Sequence, residues 1–250
     1  MPSEEVGVAE WIRERMHGFA VDVGSVIPHG FDAYARIFHP AWLPHMIEVR
    51  WSEIAASTGR RVHPEMQFHT IASPLPGHWT GLESWYGPRV GTLSAGQVRA
   101  LIPLLARHTS TPDRCRFCLW DGYGYLHAGG MAALRSTFTG PGTPPAPEPI
   151  PLPPFPPMPA RSRRLVKLPG RDYLLYAGAV ERSAGWPDGP NLWWPEDRSW
   201  CVASEIDFPY TYVGGSDELI AEVLGHSLLE ALPSSIHDGI TADSDRVNTP

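Results

Sequence analysis

The sequence predicts an α+β fold: a mainly antiparallel sheet with a few short helices and a long proline-rich connector. Three observations lead there. The 250 residues are 42% hydrophobic and include 10 Trp, enough for a substantial core, yet 28 Pro and 24 Gly interrupt the chain too often for a helix bundle. Short apolar runs with a period of two recur along its length, as strands require. Helical periodicity, by contrast, is confined to brief stretches with capping residues at their starts.

Taken in order, VAEWIRERMHG (8–18) sets Trp11, Ile12 and Met16 against charged residues, which predicts a short helix stopped by Gly18. FDAYARIFH (31–39) alternates as a strand with aromatics on its second face, and MIEVRW continues in that style. SEIAASTG reads as a helix with Ser52 as N-cap and Gly59 just past its end. Residues 73–91 form a loop carrying Trp79, Trp85 and Tyr86. In SAGQVRALIPLLARH, Ser94 and Gln97 have capping-box spacing, and Val98, Leu101, Ile102 and Leu105 make one stripe. Pro103 is expected to kink or end that helix. RCRFCLW then reads as a strand.

Residues 140–160 hold 11 prolines in 21 positions. Proline removes the backbone donor and fixes φ, so a polyproline II connector is expected, as a spacer or as a PxxP ligand, with the spacer favoured. One domain over residues 1–250 follows, its halves 8–139 and 161–250 sharing a core. After the connector, RRLVKL and DYLLYAGAV flank a Pro-Gly turn as a hairpin. A loop containing Trp193 and Trp194 leads into SWCVASEIDF and YTYVGG, two further strands. Ser216 caps DELIAEVLGHSLLEAL, whose Asp217 and Glu218 suit the helix dipole. The polar tail HDGITADSDRVNTP is expected to be loose.

The charge balance, 20 basic against 27 acidic residues for a formal net charge of −7, argues against a nucleic-acid partner, because a phosphate backbone needs clustered Lys and Arg. The only short basic run, Arg161 to Lys167, is too small to offset it. Glu4 and Glu5 stand where an export signal needs positive charge, and no window is apolar enough to span a bilayer. Three cysteines, an odd number, suit a reducing cytoplasm, and the predicted location is cytoplasmic.

Two constellations carry what chemistry there is. Cys115 and Cys118 form Cys-x-x-Cys, but on a strand residues three apart point to opposite faces, whereas zinc needs both thiolates on one side. With Cys201, His108 and His127 as the only further ligands at hand, no metal is assigned, and zinc through Cys115 and Cys118 stays as the alternative. The eleven histidines, including His39 with His45 and His63 with His69, lack ligand spacing and are expected to be satisfied or solvent-facing. Asp243 and Asp245 lack the glycine and closing glutamate of a calcium loop. The turn at 214–216 opens a helix, but Asp217 and Glu218 would repel an anion there. The other constellation is Glu205 and Asp207, two apart and on one face of a predicted strand, near Trp193 and Trp194 as pocket walls; Asp121 is a third carboxylate candidate. No nucleophile elbow, phosphate loop or HExxH motif occurs. No cofactor is implied.

The runs VGSVIPHGFDAYARIFHP, TPDRCRFCLWDGYGYL, LPGRDYLLYAGAV and NLWWPEDRSWCVASEIDFPYTYVGGS resemble uncharacterised actinobacterial proteins over most of the chain outside the proline tract. That resemblance implies no activity. The order of elements, strands before an acidic-capped terminal helix, is similar to the SUKH group of immunity and interaction proteins, which implies partner binding. The first functional expectation, from the abundant aromatics in loops and the missing catalytic motifs, is a non-catalytic cytoplasmic binding protein that presents Trp79, Trp85, Tyr86, Trp193 and Trp194 to another protein or a small ligand. The alternative is a small hydrolase or metal-assisted enzyme using Glu205 and Asp207, perhaps with Asp121.

Overall fold

The structure, a computed structural model, describes residues 7–43, 47–72, 87–123, 165–186 and 189–248. The proline-rich stretch 140–160, the loop aromatics Trp79, Trp85 and Tyr86, and His45 and His127 lie outside the described residues. The fold is α+β. Eight strands make one sheet: β1 (Ala33–Phe38), β4 (Cys115–Trp120), β5 (Val166–Leu168), β6 (Arg171–Gly178), β7 (Leu192–Pro195), β8 (Cys201–Ala203), β9 (Tyr210–Gly215) and β10 (Ala231–Ser234). Their order is β10-β1-β9-β8-β7-β4-β6-β5, and each neighbouring pair is antiparallel. Strands β1 and β4, from before the proline tract, lie between strands that follow it. A separate ribbon pairs β2 (Ala41–Leu43) with β3 (Ile47–Val49).

Helices cover both faces of the sheet. On one face α4 (Ala95–Arg107) and α5 (Asp217–Gly225) bury Leu101, Leu105, Leu219 and Val223 against Ile37, Phe117, Trp193, Val202 and Val213. On the other, α1 (Glu10–Glu14) and α2 (Trp51–Thr58), followed by the short helix α3 (Phe68–Ile71), pack Trp11, Ile12, Trp51 and Ile54 with Cys118, Trp194, Cys201, Tyr210 and Tyr212. A strand buried on both sides loses the polar phase that marks strands in sequence.

Trp193 and Trp194 show the consequence. They belong to strand β7 near the middle of the sheet, not to a loop, and each is 1% exposed. Trp193 stacks near Phe117 (6.1 Å between centroids) and meets Trp200 edge-on, while Trp194 meets Trp11 edge-on from the opposite face. Neither can touch a ligand. Their binding role is therefore withdrawn, and the physical reason is that two adjacent indoles on one strand fill two different cores.

Four local expectations change for equally concrete reasons. Ser52 is not the cap of α2: Arg50 precedes the helix, and the amides of Trp51 and Ser52 both donate to the Glu230 carboxylate at 2.7 Å. Of the two outcomes expected at Pro103, a kink or an end, the end does not occur: α4 runs on to Arg107, because the proline lies on the exposed side where the carbonyl it frees can face water. The last helix stops at Gly225, and Ala231–Ser234 pairs with the outer edge of β1. The tail is pinned, not loose. Asn248 bonds the Arg61 backbone in both directions (2.8 and 2.9 Å), and the fully buried Asp245 accepts from His63, from Asn248 and from the Gln67 amide. Those groups give segment 61–67 the partners that a sheet would otherwise supply.

Two capping expectations stand. Ser94 and Gln97 form the reciprocal box at the start of α4, and the Ser216 hydroxyl accepts from the Leu219 amide. The Pro-Gly turn between β5 and β6 places Gly170 at φ +89°, a conformation glycine adopts without a Cβ penalty. Within the core, Arg36 on β1 is 1% exposed, stacks 3.6 Å from the Tyr210 ring centroid and donates to the Pro64 carbonyl. Its Nε and Nη2 find no hydrogen-bond partner among the described residues.

Candidate binding cleft and its carboxylate lip

The predicted carboxylate pair does converge, though not on a strand. Strand β8 ends at Ala203, and Glu205 and Asp207 sit in the turn that follows, where the Phe208 amide donates back to the Glu205 carbonyl at 3.0 Å. Both side chains meet Arg171, the first residue of β6, which reaches across the end of the sheet. The guanidinium donates to Glu205 through Nε (3.0 Å) and Nη2, and Nη2 also lies 3.3 Å from Asp207. It rests 5.2 Å from the Trp120 ring. Burial pulls the Arg171 pKa down, but the hydrogen bonds and charge of Glu205 outweigh it, and the net direction is up. Asp121 is at the same end of the sheet, with its amide donating to the Asp172 carbonyl at 3.0 Å.

This arrangement holds structure in place. A metal or a general base needs lone pairs aimed at open space, whereas both Glu205 oxygens are spent on Arg171 and the residue is 8% exposed. Asp207 is the opposite case, with its side chain 74% exposed. One guanidinium between two carboxylates leaves a net charge of −1, carried by Asp207. Asn191 braces the same sheet end. It is 3% exposed, accepts from the Trp120 amide at 2.8 Å and donates to the Tyr123 hydroxyl at 3.0 Å.

The cysteines form no shared centre among the described residues. Cys115 faces the α4 side of the sheet and Cys118 the α2 side, so one ion cannot reach both. Cys201 shares the Cys118 side, and all three are free and buried. Burial, with smaller contributions from Asp197 and Glu181, pushes the Cys115 thiol up to about 12. Burial also raises Cys118 and Cys201, so none is a ready nucleophile. No group of three His, Cys, Asp or Glu residues suited to a metal ion is present among the described residues.

Next to Asp207 the surface opens into a cleft of about 410 Å³, walled by Gln67, Phe68, Val90, Asp207, Phe208 and Tyr210. Four segments meet there: helix α3, the strap 87–91, the turn from Glu205 into β9, and residues 240–242. Val90 is 53% exposed. Phe19, itself 57% exposed, lies 6.5 Å from the Phe208 ring and extends the apolar rim. Exposed Val21 adjoins the cleft through its carbonyl, which accepts from the Ile240 amide at 3.0 Å.

Hydrogen bonds from Gly91 and to Arg89 tie the strap to the sheet. Gly91 donates to the Phe208 carbonyl at 2.9 Å, and the His39 ring bonds the Arg89 carbonyl at 2.7 Å. Gly91 has φ +78° and lies so close to Ile206 that a Cβ would come within 2.9 Å of its carbonyl oxygen. A glycine is required there on both counts.

Sequence reading found Glu205 and Asp207 but missed Arg171, His39 and Val90. Arg171 was visible as the arginine of a Pro-Gly turn, with nothing to say that the turn ends beside Glu205. Phe208 had been assigned to a strand end. No family model, curated protein or solved structure matches the chain, so the functional reading rests on this geometry.

Proposed function

We propose that the protein is a non-catalytic binding protein whose cleft beside Asp207 holds an extended segment of another protein, one that carries apolar side chains and a lysine or arginine. The observation that carries this reading is the cleft itself. It is open, its walls are largely apolar, solvent-exposed Phe19 and Val90 stand at its rim, and its described lining includes one carboxylate and no Lys or Arg. Contiguous exposed apolar surface with a polar edge is the usual mark of an interaction site. The exposed carboxylate of Asp207, which shares the single Arg171 guanidinium with Glu205, favours a cation next to the apolar contacts.

Three buried free thiols suit a cytoplasmic location. No helix among the described residues is long and apolar enough to cross a membrane. The hydrolase alternative loses its support from Glu205, whose oxygens are committed to Arg171.

Selection of a random displayed-peptide library on the purified protein tests the proposal. Enriched peptides are expected to combine apolar residues with Lys or Arg. They should lose binding to Val90→Asp and give way to acidic peptides on Asp207→Lys. No enrichment over background, or equal binding to Val90→Asp, overturns it.

A further inference from the structure

The strap that walls the cleft is latched by a histidine with a defined proton arrangement. His39 is 1% exposed. Its Nδ1 faces the Arg89 carbonyl at 2.7 Å, which can only accept, so Nδ1 carries the proton. Its Nε2 lies 2.8 Å from the Thr211 hydroxyl and must therefore accept from it. Thr211 in turn is 2.6 Å from the Ser204 hydroxyl, which donates into it. The chain thus runs in one direction: Ser204 to Thr211 to His39 to the Arg89 carbonyl.

The ring is also tied to its frame. The His39 amide donates to the Pro209 carbonyl at 3.0 Å, and its own carbonyl accepts the Trp51 indole at 2.7 Å. The charged groups acting on the ring are Arg89 on the strap and Arg36 on β1, both cationic, and no carboxylate makes an ion pair with it among the described residues.

A second proton on this ring has nowhere to go. Nε2 would become a donor facing Thr211, Thr211 would have to donate to Ser204, and the Ser204 proton would lose its acceptor. The new charge would lie between two guanidinium groups in a buried site. The most direct relief is to admit water by parting the strap, whose Gly91 amide bonds the Phe208 carbonyl on the far side of Arg89.

We infer that His39 is a proton-operated latch: its neutral ring holds strap 87–91 against β9, and its protonation lets the strap, and with it one wall of the cleft, come away. Burial, reinforced by the Arg89 and Arg36 charges and only partly opposed by the Arg89 carbonyl, lowers the ring's pKa to about 4. The latch therefore opens only in acid.

The consequence for partner binding rests on the cleft reading above, but the latch can be tested without a ligand. Amide exchange on the full chain, corrected for intrinsic rates, should show Gly91 losing at least about tenfold protection between about pH 6 and pH 4, while the amides of β7 and β8 stay protected. The His39 ring should titrate near the lower value by NMR. In His39→Asn, whose amide can still donate to Arg89, Gly91 protection should not change across this range. As a check independent of that variant, Thr211→Val leaves a second ring proton on Nε2 without an acceptor and should move the ring titration further down. Titration of wild-type His39 near its ordinary value with Gly91 unaffected overturns the latch, as does loss of Gly91 and sheet protection together. A sound latch in a protein that selects no peptide would remove the cleft reading alone.

Discussion

Removing the Arg171 side chain distinguishes a structural ion cluster from a site that stores strain for chemistry. In Arg171→Met the aliphatic stem survives and the charge is lost, so Glu205, with its side chain 7% exposed, keeps a buried carboxylate with no counterion. Breaking a buried pair in this way costs about 3–5 kcal/mol, and the 20% exposure of the Arg171 side chain places the loss at the lower end, about 3 kcal/mol. Asp207 adds little, because exposed pairs contribute about 0–1 kcal/mol. For a chain of this length the loss corresponds to a fall in Tm of roughly 6–12 °C.

Urea denaturation followed by circular dichroism at neutral pH measures it. The double variant Arg171→Met with Glu205→Gln should recover to within about 1 kcal/mol of the parent, because no unpaired charge remains. A loss below about 1 kcal/mol in the single variant would refute the reasoning. A gain in stability would go further, since catalytic carboxylates are commonly held at a cost to the fold, and it would restore the hydrolase alternative.

Two more predictions follow from buried groups. Unfolded His39 binds its proton near 6.5 and the folded ring only near 4, so between those values the unfolded chain binds more protons and stability falls as pH falls. This contribution is complete above about pH 6.5, and its loss by about pH 4 amounts to about 3 kcal/mol; denaturation curves should show the slope in the parent and lack it in His39→Asn. Glu230→Ala strands two amides at the start of α2 that each donate to the carboxylate at 2.7 Å. It should cost about 2 kcal/mol by the same assay, whereas Ser52→Ala, no longer a cap removal, should cost less than about 0.5 kcal/mol.

Much of the fold was legible because its determinants are local. The box of Ser94 and Gln97, the cap at Ser216, the αL glycine after α2 and the turn at Gly170 need only a few consecutive residues to express their preference, and each stands where the periodicity placed it. The extended reading of CRFC was of this kind as well: alternation along a strand sends Cys115 and Cys118 to opposite faces whatever surrounds them. The candidate site was legible only as two acids in one short stretch.

What neighbours in sequence could not decide were meetings between distant segments. LWWP reads as a loop until helices from both ends of the chain cover its two faces, and the polar tail reads as loose until Asn248 finds the Arg61 backbone. Whether Glu205 is a free base or a spent anion depended on Arg171, 34 residues earlier and three strands away in the sheet. The cleft, likewise, exists because residues 67–69, 87–90, 207–210 and 240–242 close on one another. Local propensity acts through the few atoms a residue can reach along its own backbone. Burial, ion pairing and the protonation of His39 are set by groups that only the folded chain brings within a few ångströms.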